Sequence, residues 1–332
     1  MHLGFGLVTC QQNPQDPEKR SDADLYAQAL ELARLCEGAG LASYWVSEHH
    51  FVDDGYLPGM LVTLAAAAAV TERILLGTGV LLAPLWHPMR VAEDAAAVDL
   101  LSRGRLILGL GLGWREEEFE GFGVEPKRKV RLLEDMIPTL RAAWTEGELA
   151  GPGGVHVTPK PHRRGGPPIW LGGFVEAAVA RAARIADGYF ASVTTLDALR
   201  SRVEVLRDAA EGRAVTVAGH VPVFMWDGPE DPWSLVRQHY WYIRWKYTDM
   251  GAARGRTGPP PYAPLLDDAQ EQELRKNIVV GRPEEVIAQL RPFAELISDD
   301  GHLVARSYFP GLPWELQKRQ VELLGEIAAA LR

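Results

Sequence analysis

Short β-prone runs recur eight times along this chain, at residues 3–9, 43–48, 74–82, 105–112, 168–172, 188–193, 214–224 and 302–309. Helical patterns fill the spaces between them, at 22–38, 58–71, 88–101, 126–145, 175–186, 196–210 and 283–297. In the first helix Ser21 and Asp24 form a capping box, and Leu25, Ala29, Leu32, Leu35 and Cys36 share one face. Strict alternation of strand and helix implies parallel strands joined by right-handed crossovers, which is the α/β class. Eight such units favour a closed (β/α)8 TIM barrel over an open doubly wound sheet, although periodicity alone leaves both open. The chain of 332 residues is long enough for one such barrel and reads as a single domain over 1–332.

Two stretches break the rhythm and read as insertions. Residues 147–168 are rich in Gly and Pro and carry Lys160, His162, Arg163 and Arg164. The longer one, 225–268, separates strands seven and eight. It holds Trp226, Trp233, Trp241, Trp245, Tyr240, Tyr242 and Tyr247 before a proline run, Pro259 to Pro261. So long a connection covers a site or forms a helical excursion with its own small core.

The balance of charge narrows the partners. A formal net charge of −9 argues against a general nucleic-acid binder, which needs a basic surface to neutralise phosphates. Cys10 and Cys36 stand alone, without CxxC or Cys/His zinc spacing, so neither a disulfide framework nor a metal site is expected. The longest apolar run, Leu57 to Val70, is interrupted by Pro58, Gly59 and Thr63 and is too short to span a bilayer. A cytoplasmic protein with no membrane contact is the expectation. Glycine motifs point away from a dinucleotide fold. Leu3 to Leu7 reads Leu-Gly-Phe-Gly-Leu, without a third glycine, and Gly109 to Gly113 runs into Glu116 to Glu118, a poor helix start for a phosphate.

The candidate chemistry lies between Gly40 and Gly59. A helix-stopping glycine is followed by a short strand, and Glu48, His49 and His50 fall where the strand ends. If strand alternation continues, Trp45, Ser47 and His49 face one way and Tyr44, Val46, Glu48 and His50 the other. In a parallel barrel the C-terminal strand ends carry the active site, so these three residues are the candidate catalytic group. A hydrogen-bonded structural histidine is the plain alternative. A metal-dependent hydrolase is disfavoured, because adjacent histidines on opposite faces cannot share one ion.

Taken in order, the segments resemble the bacterial-luciferase-like flavin monooxygenase family. The resemblance rests on Gly40-Leu-Ala-Ser-Tyr-Trp-Val-Ser-Glu-His-His-Phe51, Arg73 to Leu82, His87-Pro88 with Val98 to Arg105, Leu108 to Trp114, Pro167-Pro-Ile-Trp-Leu-Gly-Gly173 with Arg181 to Gly188, and Gly281-Arg-Pro-Glu-Glu285. It implies a TIM barrel that binds reduced FMN or, in another branch, F420. FMN members use O2 to oxygenate a small organic substrate, and F420 members carry hydride. His49 is implied as acid/base or stabiliser at the flavin edge, with His50 and Glu48 as orienting or pocket residues. Flavin contacts are implied from Thr78, Gly79 and Val80, with a cis peptide at Gly79–Val80. Further contacts are implied from Gly111, Gly113 and Arg115 after strand four, and from Gly172, Gly173 and Phe174 at a helix start. Two departures stand out: Leu112 occupies the place of a basic side chain, and 172–177 lacks the family's hydroxyl residues. The resemblance also implies a separate flavin reductase and a homodimer built near strands two and three, where Ala65 to Ala69 permits close helix approach. A non-catalytic flavin-binding relative is the remaining alternative.

Overall fold

Among the described residues every pairing of the main sheet is parallel, with helices joining the strands, and the sheet closes on itself. The computed structural model describes residues 1–151, 153–192, 195–252 and 266–331. In chain order the elements begin β1 (His2–Val8), α1 (Asp22–Gly38), β2 (Ser43–Val46), α2 (Met60–Ala69), β3 (Leu75–Thr78), β4 (Leu81–Leu82) and α3 (Pro88–Leu101). Next come β5 (Leu106–Gly111), α4 (Glu116–Gly121), α5 (Lys129–Trp144), β6 (Ile169–Gly172), α6 (Glu176–Ile185), β7 (Gly188–Ser192) and α7 (Leu196–Ala210). The chain ends with β8 (Thr216–Met225), α8 (Pro232–Gly251), α9 (Asp268–Arg275), β9 (Val279–Gly281), α10 (Pro283–Ala294), β10 (His302–Arg306) and α11 (Trp314–Ile327). Strands pair in parallel in the order β1, β2, β3, β5, β6, β7, β8, β10, and β10 returns to β1, with Gly4 opposite Val304. This is the closed barrel expected from the alternation.

The run expected as one strand over 74–82 is two. It is interrupted by a cis peptide at Gly79–Val80, the bond the resemblance implied, after which β4 pairs with β5. A short strand, β9, extends the sheet beside the C-terminal half of β8, and α8, α9 and α11 add helices that the periodicity did not single out. Pro259 to Pro261 lie outside the described residues. Among the described residues no helix is long and apolar enough to cross a membrane, and no group of three His, Cys, Asp or Glu could hold a metal.

What fills the barrel decides where a ligand can go. Trp45, Trp170 and Phe190 stack at its centre, with ring centroids 5.5 Å and 4.8 Å from Trp45, among Leu7, Ile107, Ala218 and Val304. Below them Trp45 Nε1 donates to Ser43 Oγ at 2.8 Å, which sits 2.7 Å from His302 Nδ1, so the polar tip of the indole is satisfied inside. Gly77 makes room for the indole, since a Cβ there would fall 2.2 Å from the Trp45 ring. The N-terminal half of the barrel is thus plugged, and open volume remains at the C-terminal mouth.

Candidate functional site

A cavity of about 480 Å³ opens above the aromatic plug. Its walls are largely apolar: Leu7, Val80, Leu82, Phe190, Ile243 and Phe309. Leu7 and Val80 each follow a cis peptide, at Gly6–Leu7 and Gly79–Val80. Around Val80 the neighbouring strands carry glycine. A Cβ at Gly111 would meet Val80 Cγ2 at 2.4 Å, so β5 must lack a side chain for Val80 to lie flat on the wall.

His49, Glu48 and Ser47 all reach the cavity. Alternation therefore stops at Val46, where β2 ends, and Glu48 turns to the same side as His49 rather than away from it. His49 Nδ1 lies 2.8 Å from Glu118 Oε1, and a carboxylate oxygen only accepts, so Nδ1 donates. Glu118 is fully buried in α4, and the same oxygen takes the backbone N–H of His50 at 3.0 Å. With Nδ1 committed, Nε2 is the nitrogen His49 has left for a ligand. Tyr56, Trp114 and Tyr247 surround the ring edge-on at 4.9, 5.8 and 5.8 Å, which fixes its plane. Glu48 Oε1 accepts from Leu82 N at 2.8 Å and Trp86 Nε1 at 3.3 Å, a brace between β2 and β4.

The remaining expected site residues divide between wall and scaffold. Gly79, Val80, Gly111, Gly113, Gly172, Gly173 and Phe174 line the cavity with His49 and Glu48. His50, Thr78 and Arg115 do not. His50 packs edge-on against Phe122 at 4.8 Å, with Nε2 3.6 Å from Glu48 Oε1. Thr78 Oγ1 donates to Gly109 O at 2.8 Å. Arg115 is corrected from a ligand cation to a brace: it is buried, and its guanidinium donates to His50 O and pairs with Glu117. The cation that does reach the wall beside Gly113 and Phe174 is Lys129, whose Nζ is 3.5 Å from Gly113 O.

The far wall comes from the aromatic stretch after β8, whose Tyr240 and Tyr247 the sequence singled out without assigning them to the site and whose Ile243 and Arg244 it did not single out. Helix α8 contributes Tyr240, Ile243, Arg244 and Tyr247, while Phe224, Trp233, Val236, Tyr240 and Ile243 join Phe309 and Leu312 in a small core of their own. Helix α8 therefore both walls the cavity and packs into a small core of its own. Tyr242 anchors it, donating to Asp54 Oδ2 at 2.9 Å, and Lys246 pairs with Asp53. Burial raises the Asp54 pKa above the usual carboxylate range even though Gln11, Lys246 and Tyr242 pull it down. Arg306 and His220 complete the floor. Burial, with Arg306 and Arg202 adding, lowers the His220 pKa to about 3, so its ring is neutral.

A closed parallel barrel with a buried, oriented histidine at the mouth of an apolar cavity defines a barrel enzyme whose ligand enters at the C-terminal strand ends. The chain belongs to the luciferase-like monooxygenase family, whose model matches residues 1–300, and is an oxidoreductase of that flavin-dependent class. It is similar to the oxygenase component of flavin-dependent trigonelline monooxygenase from Acinetobacter baylyi, at 24% identity over 99% of this chain and 95% of that relative. Two solved structures share the fold. One is the oxygenating constituent of 3,6-diketocamphane monooxygenase from Pseudomonas putida in complex with FMN, with a TM-score of 0.77 and 19% identity over 99% of this chain and 98% of that one. The other is the coenzyme F420-dependent tetrahydromethanopterin reductase from Methanopyrus kandleri, with a TM-score of 0.72 and 18% identity over 99% of each chain.

Proposed function

We propose that this chain is the oxygenase of a two-component system, taking reduced FMN from a separate reductase and using O2 to oxygenate a small organic substrate. The observation that carries the proposal is His49 held by Glu118 at the wall of an apolar cavity that closes at its base on the aromatic plug. The residues present suit a flavin. Val80 and Leu7 offer a flat aliphatic bed, Gly111 and Gly172 keep side chains out of it, and Gly173, Phe174 and Lys129 offer N–H groups and a cation for a phosphate. Reduced FMN, when bound, supplies the electrons that activate O2. The protein's part is positional. His49 Nε2 holds or delivers a proton at the reacting edge, Glu118 keeps Nδ1 protonated, and Tyr56, Tyr247 and the α8 aromatics exclude water.

The separate reductase is supported by the relative named as an oxygenase component and is consistent with the lack of a dinucleotide fingerprint in β1. We read the chain as one barrel domain over 1–332, with 147–168 and 225–268 as insertions. We place it in the cytoplasm, where two buried free thiols, Cys10 and Cys36, are at home. We also propose a homodimer through α2 and α3, which expose Val62, Leu100 and Leu101 beside the alanine run.

The second reading, F420-dependent hydride transfer on the same barrel, draws on the Methanopyrus likeness. Titration with FMN and then F420, followed by fluorescence, separates the two. Micromolar binding of FMN is expected, and micromolar binding of F420 alone would overturn the proposal.

A further inference from the structure

Most polar groups around the cavity are hydrogen-bonded within the protein, but three buried atoms of residues that line it have no partner among the described residues: Arg306 Nε, His220 Nδ1 and Glu48 Oε2. Arg306, the last residue of β10, is about nine-tenths buried, and its Nε has no hydrogen-bond partner. His220 on β8 is equally buried, and its Nδ1 has none either. Both line the cavity. In the barrel register Arg306 stands beside Pro222 and His220 beside Val304, so the two occupy successive levels of adjacent strands just above the plug.

A buried guanidinium without a counter-ion is costly, which makes its survival informative. No Asp or Glu pairs with Arg306 among the described residues. The groups acting on it are tyrosines: Tyr247, which hydrogen-bonds to the guanidinium and whose ring lies 5.4 Å from it, with Tyr56 and Tyr240. Residues 253–265 contain no Asp or Glu that could supply the missing charge. The carboxylate that does line the cavity, Glu48, accepts through Oε1 from Leu82 N and Trp86 Nε1 on the β2 and β4 side, and its Oε2 has no partner among the described residues. The neutral His220 ring adds a nitrogen able to donate without adding charge.

We propose that Arg306 and His220 form the seat of an organic oxyanion, so that the substrate is an apolar or aromatic body carrying a carboxylate or sulfonate. The inference rests on the oxygenase reading above and names the substrate class of the same cavity. An oxyanion there could also belong to the flavin. The barrel order argues for the substrate, because Lys129 and Gly113 after β5 and Gly173 after β6 lie on the opposite side of the ring from β10. A guanidinium suits a carboxylate or sulfonate because its fork can donate two parallel hydrogen bonds. The apolar body would rest against Phe309, Ile243 and Phe190.

Calorimetric titration with benzoate and with its neutral isostere benzamide tests this, on the protein alone and on the FMN-loaded protein. Wild type is expected to bind benzoate at least about tenfold more tightly than benzamide in both states, a preference typical of a hydrogen bond to a charged group. Arg306→Gln should abolish that preference, Arg306→Lys should retain part of it, and FMN affinity should change less than about twofold in either. Equal binding of the two probes to wild type overturns the proposal without any variant. Competition between benzoate and FMN, or an Arg306→Gln variant that loses FMN while keeping the benzoate preference, also overturns it by assigning the seat to the flavin. If FMN fails to bind while the Arg306-dependent preference holds, the flavin reading falls and the anion seat stands.

Discussion

His49 Nδ1 donates to Glu118 Oε1 across 2.8 Å, joining the end of β2 to a helix 69 residues further along the chain. Glu118 thereby sets which imidazole nitrogen faces the cavity, and it acts through His49 rather than on a ligand. Replacing it by Gln keeps the shape and loses the charge, and an amide can present its NH2 where an acceptor is needed. Glu118→Gln is expected to lower kcat by roughly 10- to 100-fold with KM little changed. It should also displace the acidic limb of the kcat profile against pH. A variant that lowered activity with an unmoved profile would mean a purely structural role.

Lys129 is the cation that reaches the wall next to Gly113 and Phe174. If it faces a phosphate, Lys129→Met should weaken FMN by about tenfold and leave riboflavin, which has no phosphate, unchanged. Paired fluorescence titrations measure both. Equal weakening of the two flavins would assign Lys129 to the ring instead.

Gly77 and Trp45 share one volume at the barrel centre. A Cβ at position 77 would stand 2.2 Å from an indole that is fully buried between Trp170 and Phe190. Gly77→Ala is expected to cost about 1–3 kcal/mol by urea unfolding. Adding Trp45→Leu should make the pair strongly non-additive, because the smaller side chain removes the clash. Additive losses would show that the two positions do not compete for space.

Burial holds His302 and His220 at about 3 and His239 at about 4, below the ordinary 6.5. Because the folded-state values are depressed, the unfolded chain binds the extra protons in the window between. Stability is therefore full above about pH 6.5 and falls as the pH drops toward those values. Each histidine contributes a slope of up to about 1.4 kcal/mol per pH unit within that window. Urea unfolding from pH 7 to pH 5 should show the loss, and His302→Gln should reduce the slope by about one proton. Identical slopes would contradict the neutral, buried state of His302.

The barrel was legible because each strand run is short and each helix has a clear apolar face, and His49 was legible because it sits where such a run stops. Glu118 was not. As a run of acidic residues at a helix start, Glu116 to Glu118 reads as solvated charge, and only the fold turns its last member inward. Arg115 was misplaced for the opposite reason, since nearness in sequence to β5 suggested the wall, whereas its guanidinium turns back to His50 O. Glu48 departed from alternation because β2 ends at Val46 and the chain is free to rotate beyond it. Arg306 and Tyr247 carry no local motif; they meet because the barrel closes β10 onto β1 and because Tyr242 and Lys246 tether α8 across the mouth.

A crystal structure of the protein with FMN tests the central claim most directly. The account predicts the tricyclic ring resting on Val80, within van der Waals reach of His49 at about 4 Å, and the phosphate at Gly173, Phe174 and Lys129. Flavin bound outside this cavity, or within it with the ring out of reach of His49, would contradict the account.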